Sequence, residues 1–170
     1  MSGLSVLFVC TANICRSPFL ELTARHVAGP DSPLTFSSAG TMGFNAHPMD
    51  EVMASTLGLD ASAFRSRPLT PAILAGVDLV LTAEREHRSR ILEDQPALLR
   101  KVFTVGQFAA GVEAHPGVRG ADLVAAQGRR RTAPTPEQDI SDPYRRGQEA
   151  AEEAAELMTR LVHQVVGALA

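Results

Sequence analysis

Apolar and polar positions along this chain follow two rhythms, and they alternate. Leu4 to Val9 (Leu-Ser-Val-Leu-Phe-Val) is a short apolar run rich in β-formers that ends abruptly in small and polar residues, as a buried strand of a parallel sheet does. Ser17-Pro18 then predicts a helix start, with Ser as N-cap and Pro in the first turn, running to about Ala28 and stopped by Gly29-Pro30. Leu34 to Ser38 reads as a second strand. Pro48 predicts the opening of a helix whose Met49, Val52, Met53 and Leu57 recur at helical spacing, with Gly58 as C-cap. Thr70-Pro71 starts a short helix ended by Gly76. Val77 to Leu81 is a third strand, with Thr82 expected to cap the next helix, and Lys101 to Val105 is a fourth. The last helix, from about Gln148, carries the clearest stripe: Ala154, Leu157, Met158, Leu161, Val162, Val165 and Leu169. Glu149, Glu152, Glu153 and Glu156 load its N-terminal half with negative charge, favourable to the helix dipole.

Strand and helix in alternation predict an α/β fold of three layers, with a central, mostly four-stranded parallel sheet flanked by helices. In such a fold ligands bind beyond the C-terminal ends of the strands. The chain reads as a single domain, 1–170, with an expanded segment at about 106–138. That segment holds two helical stretches (Gln107 to Val112 and Ala121 to Gln127), then Arg129-Arg130-Arg131 and a Pro-rich run. Because it leads into Asp142, it is expected to form a rim there.

Composition narrows the classes. Of 170 residues, 45% are hydrophobic and 21% charged, which suits a chain with a substantial core. A net charge of −3 lacks the basic excess of a nucleic-acid binder, and no stretch is apolar enough to predict a membrane span. Met1 to Phe8 reads as strand and not as a signal peptide, so the expected location is cytoplasmic. The two cysteines, Cys10 and Cys15, make no disulfide scaffold and no common zinc site, and the five histidines show no metal spacing; no metal or cofactor is expected. Nothing in the pattern specifies an oligomeric state.

The chemistry concentrates in Val9-Cys10-Thr11-Ala12-Asn13-Ile14-Cys15-Arg16-Ser17-Pro18, between a strand and a helix start. A loop entering a helix aims several backbone N–H groups at one spot, and the helix dipole makes that spot attractive to anions. Arg16 adds a planar fork for two phosphate oxygens. A thiolate at Cys10 would be stabilised by both, with Ser17 able to donate to the sulfur. Cys10 alone could be a buried structural thiol; Arg16 and the helix start favour a nucleophile.

This Cys-x5-Arg-Ser loop, placed just after the first strand, resembles that of the low-molecular-weight protein tyrosine phosphatases, whose motif reads Val-Cys-x-Gly-Asn-Ile-Cys-Arg-Ser-Pro. Asp142-Pro143-Tyr144 resembles the family's general-acid turn, and Ser38-Ala39-Gly40-Thr41 the segment in which Ser38 braces the loop. The resemblance implies hydrolysis of phosphotyrosine in proteins through a phosphocysteine. Cys10 would be the nucleophile, Arg16 the phosphate binder and Asp142 the acid and then the base. Thr11, Ala12, Asn13, Ile14, Cys15 and Ser17 would hold the substrate, with Phe44 and Tyr144 flanking its ring. It also implies a resolving role for Cys15, whose plainer reading is packing under the loop. Asp139 is a rival acid. Ala12 replaces the family's Gly, so either its dihedrals are ordinary or the loop is strained.

Three alternatives share the scaffold. Protein-arginine phosphatases of this type carry Thr where this chain has Ile14, and Ile favours a flat aromatic ring. Thioredoxin-linked arsenate reductases need two further cysteines, which this chain lacks. An inactive phosphate-binding regulatory module would draw only on Ala12 and the expansion.

Overall fold

The computed structural model describes residues 3–130 and 132–170, so Met1, Ser2 and Arg131 lie outside the described residues. Four strands, β1 (Ser5–Cys10), β2 (Thr35–Gly40), β3 (Leu79–Thr82) and β4 (Val102–Thr104), form one sheet in the order β2-β1-β3-β4, with every pairing parallel. Alternate residues of β1 face opposite layers, as the two-residue period of a strand requires. Val6 and Phe8 join a core with Phe19 and Leu20 of α1 (Arg16–Ala28) and Met158 and Val162 of α7 (Gln148–Leu169). Leu7 and Val9 pack with Leu74 of α3 (Pro71–Ala75) and Ile91 of α4 (Arg85–Asp94). The expected three-layer α/β architecture is therefore present.

The α7 stripe is buried as its spacing predicts: Met158, Val162 and Val165 are each at most 1% exposed. Burying each contributes roughly 1.5–3 kcal/mol, so Met158→Ala would cost about 2–5 kcal/mol. The residues of 106–130 fold as α5 (Val105–Glu113) and α6 (Gly120–Arg130), anchored by buried Phe108 and Leu123. Arg129 and Arg130 are exposed, as a solvated face should be.

Three helix starts differ from the pattern-based expectation. Helix α2 (Glu51–Leu57) begins three residues after Pro48, because the Asp50 carboxylate accepts the N–H of Met53 at 3.0 Å and caps it. Helix α4 follows Glu84 and not Thr82. Thr82 ends β3, and its hydroxyl donates to the Glu84 carbonyl. Helix α1 starts at Arg16 with no side-chain cap at all, since Ser17 is turned elsewhere.

The chain moves from β1 out to β2 and then crosses back to β3 on the other side of β1. That reversal opens a crevice at the C-terminal ends of β1 and β3, the position where open parallel sheets bind ligands.

Candidate active site

Cys10 is the last residue of β1, 3% exposed, at the floor of a slot of about 210 Å3 lined also by Thr11, Ala12, Ile14, Cys15, Arg16, Met42, Phe44, Asp142 and Tyr144. The loop above it is shaped by Asn13, whose φ of 57° is left-handed. Asn visits that region more readily than other residues with a Cβ. Its fully buried side chain then locks the turn: Nδ2 donates to Ser17 Oγ and Ser38 Oγ, both at 2.8 Å, and Oδ1 accepts the Arg67 N–H at 3.0 Å. Ala12 has no positive φ; among the described residues the non-glycine positions that do are Asn13, Ala46 and Arg145. The replacement of the family's Gly is thus met by ordinary dihedrals and not by strain.

The hydroxyl of Ser17 accepts from Asn13 and lies 3.0 Å from the Cys10 sulfur, where it can donate to a thiolate; the Ser17 backbone N–H approaches the same sulfur at 3.4 Å. Ser17 therefore serves the thiol and not the helix end. Ser38 continues the chain outward by donating to the buried Glu21 carboxylate, which pairs with Arg25 at 2.6 Å. Burial raises the pKa of Glu21, against the lowering influence of Ser38 and of the arginines.

Arg16 is 1% exposed. Its Nη1 donates to the Ile140 carbonyl at 2.7 Å and pairs with Glu84 at 3.0 Å, while Nη2 lies 3.6 Å from Asp142. Its Nε is, among the described residues, the buried side-chain polar atom without a hydrogen-bond partner. A buried unpaired donor costs about 1–3 kcal/mol, more when charged, and each such exception calls for an explanation. An oxyanion in the slot supplies one.

The segment carrying Asp142 is tied to the sheet by Ile140, whose N–H donates to the Ala83 carbonyl at 2.9 Å. Asp142 keeps a half-exposed carboxylate, with Oδ1 accepting the Tyr144 N–H at 3.1 Å. The rival Asp139 is fully engaged by Arg85, accepting its backbone N–H at 2.7 Å and its Nε at 3.0 Å. Phe44 and Tyr144 are 41% and 38% exposed at the slot mouth, where exposed apolar surface is available to a flat ring. Cys15 is 5% exposed, and burial together with Asp50 pushes its thiol up to about 12, which favours packing beneath the loop over a reactive thiolate. None of the described residues of the expanded segment lines the slot; α6 packs on α7 and on the turn after α4.

Glu84, His87, Met42 and Gly40 are parts of the site that the pattern did not single out. Glu84 holds Arg16, His87 meets the Thr11 hydroxyl at 2.9 Å, and Met42 adds an apolar wall. Gly40 passes so close that a Cβ would sit 2.7 Å from the Thr11 carbonyl oxygen and 2.9 Å from the Asn13 nitrogen. A signal for Glu84 was present: it lies two residues beyond β3, at the end of the sheet where ligands bind. Among the described residues no cluster of His, Cys, Asp and Glu could hold a metal, and no helix is long and apolar enough to cross a membrane.

Comparison with known proteins agrees with this geometry. The chain is 28% identical over 160 residues to the low molecular weight protein-tyrosine-phosphatase Etp of Escherichia coli (strain K12), covering 92% of this chain and 88% of Etp. It is 27% identical over 114 residues to the protein-arginine-phosphatase of Bacillus subtilis (strain 168), covering 64% and 74%. The low molecular weight protein tyrosine phosphatase of T. tengcongensis superposes with a TM-score of 0.74 at 26% identity, covering 97% of this chain and 99% of that one. The family model described as low molecular weight phosphotyrosine protein phosphatase matches residues 5–119, and the chain belongs to that family of phosphoric monoester hydrolases.

Proposed function

We propose that this protein removes phosphate from phosphotyrosine in protein substrates through a covalent phosphocysteine. The phosphoryl group sits in the loop from Thr11 to Ser17, held by backbone N–H groups, the α1 N-terminus and Arg16. The Cys10 sulfur attacks phosphorus as the bond to the phenolic oxygen breaks. Asp142 gives that oxygen its proton. Water then attacks phosphorus with Asp142 accepting its proton, the S–P bond breaks, and phosphate leaves with the thiolate restored. Charge on the equatorial oxygens is met by preorganised donors, so the contribution is largely electrostatic.

The observation that carries this reading is the buried, unpartnered Nε of Arg16, a residue that lines the same slot as Cys10. Asp142 is assigned as the acid because it faces Arg16 across the slot, whereas Asp139 is committed to Arg85. Ile14, Met42, Phe44 and Tyr144 give the mouth an apolar lining suited to a phenyl ring. Two free cysteines suit a reducing compartment, and we place the protein in the cytoplasm, acting as a single phosphatase domain.

Likeness to an arginine phosphatase supports a second reading, which Ile14 disfavours by presenting a branched hydrocarbon where that type carries a hydroxyl. Turnover of matched phosphotyrosine, phosphoserine and phosphoarginine peptides decides between them. We expect phosphotyrosine to be strongly preferred, and Cys10→Ser and Asp142→Ala to abolish or severely slow turnover. Equal or better hydrolysis of phosphoarginine would overturn the tyrosine assignment.

A further inference from the structure

Thr11 directly follows the cysteine and lines the slot. Its hydroxyl meets one side chain, His87, with Nε2 at 2.9 Å. His87 is 4% exposed in the first turn of α4, and its Nδ1 accepts the backbone N–H of Glu84 at 3.1 Å. A nitrogen that accepts carries no proton, so in the neutral ring the proton sits on Nε2. Burial, with the Arg16 guanidinium adding to it, pushes the imidazole down to about 4, so the ring is neutral at pH 7 and has a single N–H to give.

Nε2 is therefore the donor and Thr11 Oγ1 the acceptor. The proton of the Thr11 hydroxyl is left over, and no acceptor for it is found among the described residues. A hydroxyl that accepts from one side is turned so that its proton points away from that donor. Here the space available is the slot.

We propose that the Thr11 hydroxyl donates a hydrogen bond to the phosphoryl group bound over Cys10, and that His87 is the positioning residue that aims it. One helical turn then grips the loop at both ends. Glu84 holds Arg16 by its carboxylate, and His87 holds Thr11 by its ring. Thr11 becomes a side-chain phosphate ligand in addition to the backbone donors. The inference rests on the phosphatase reading, since it needs a phosphoryl group in the slot.

The test uses the full chain with two readouts: calorimetric affinity for inorganic phosphate, and kcat/KM for p-nitrophenyl phosphate. Thr11→Val keeps the shape and removes the donor; both quantities should fall about tenfold, as expected for a hydrogen bond to a charged group. Thr11→Ser should stay within about threefold of the parent, half the logarithmic loss of Thr11→Val. His87→Leu should reproduce most of the Thr11→Val loss, His87→Gln should recover it by offering an amide N–H, and Thr11→Val with His87→Leu should be no worse than Thr11→Val. Wild-type phosphate affinity in Thr11→Val would overturn the contact. Multiplicative losses in the double variant, with His87→Gln as weak as His87→Leu, would overturn the positioning role. Binding and turnover also separate this inference from the reading beneath it: phosphate bound through Thr11 by a chain that hydrolyses no aryl phosphate supports the contact and refutes the activity.

Discussion

Asn13 is the residue on which the shape of the loop turns, and its contribution can be divided by two substitutions. Replacing it with Ala removes two donated bonds, to Ser17 and Ser38, and one accepted from the Arg67 N–H, all in a fully buried setting. At about 1 kcal/mol net for each, that is a loss of about 3 kcal/mol. Ala must also hold φ of 57° without the local side-chain hydrogen bonding that eases Asn into the left-handed region, which adds about 1 kcal/mol. Asn13→Ala should therefore destabilise by about 4 kcal/mol. Asn13→Gly loses the same bonds without the Cβ penalty and should cost about 3 kcal/mol. Urea unfolding followed by circular dichroism gives both numbers, from the midpoint shift at constant slope. Equal stabilities of the Ala and Gly variants would refute the backbone argument. Gly as stable as Asn would refute the hydrogen-bond argument, and both variants should lose turnover because the Ser17 hydroxyl is no longer directed at the sulfur.

Gly40→Ala forces a methyl into the backbone of Thr11 to Asn13, so the loop must shift; kcat/KM should fall on the order of a hundredfold, and parental turnover would show that the loop can yield freely. His87 is held down to about 4 in the folded chain, so the unfolded chain binds the extra proton between about pH 6.5 and 4. Its contribution is complete above pH 6.5 and is lost as pH falls through that window, by a few kcal/mol. Urea midpoints at pH 7 and 5 should differ more in the parent than in His87→Gln, a comparison that cancels the opposite contribution of Glu21, whose pKa burial raises. An identical pH slope in the two proteins would refute the assignment. Iodoacetamide at pH 7 should label Cys10, the nucleophile at the floor of the slot, and spare Cys15, whose thiol is pushed up to about 12; mass spectrometry showing equal labelling of both would contradict the division of roles between the two thiols.

The sequence by itself determined what depends on neighbours along the chain. The apolar run into Cys10, the spacing of Arg16 and Ser17 and the stripe of α7 are local, because a strand or helix places residue i against i+2 or i+3 whatever surrounds it. These features were enough for the parallel sheet and for the anion-binding loop. Only the tertiary structure decided which helix starts would be capped by their own side chains. Ser17 is drawn to a thiol seven positions earlier and leaves the start of α1 without a side-chain cap. It also decided between the two aspartates, since Asp139 meets Arg85 across 54 residues, and it brought Glu84 and His87 to opposite ends of the loop. The reason is physical. Contacts between distant segments are set by the order and register of the strands that carry them, and a β2-β1-β3-β4 order is a property of the packed sheet, not of any one segment's pattern.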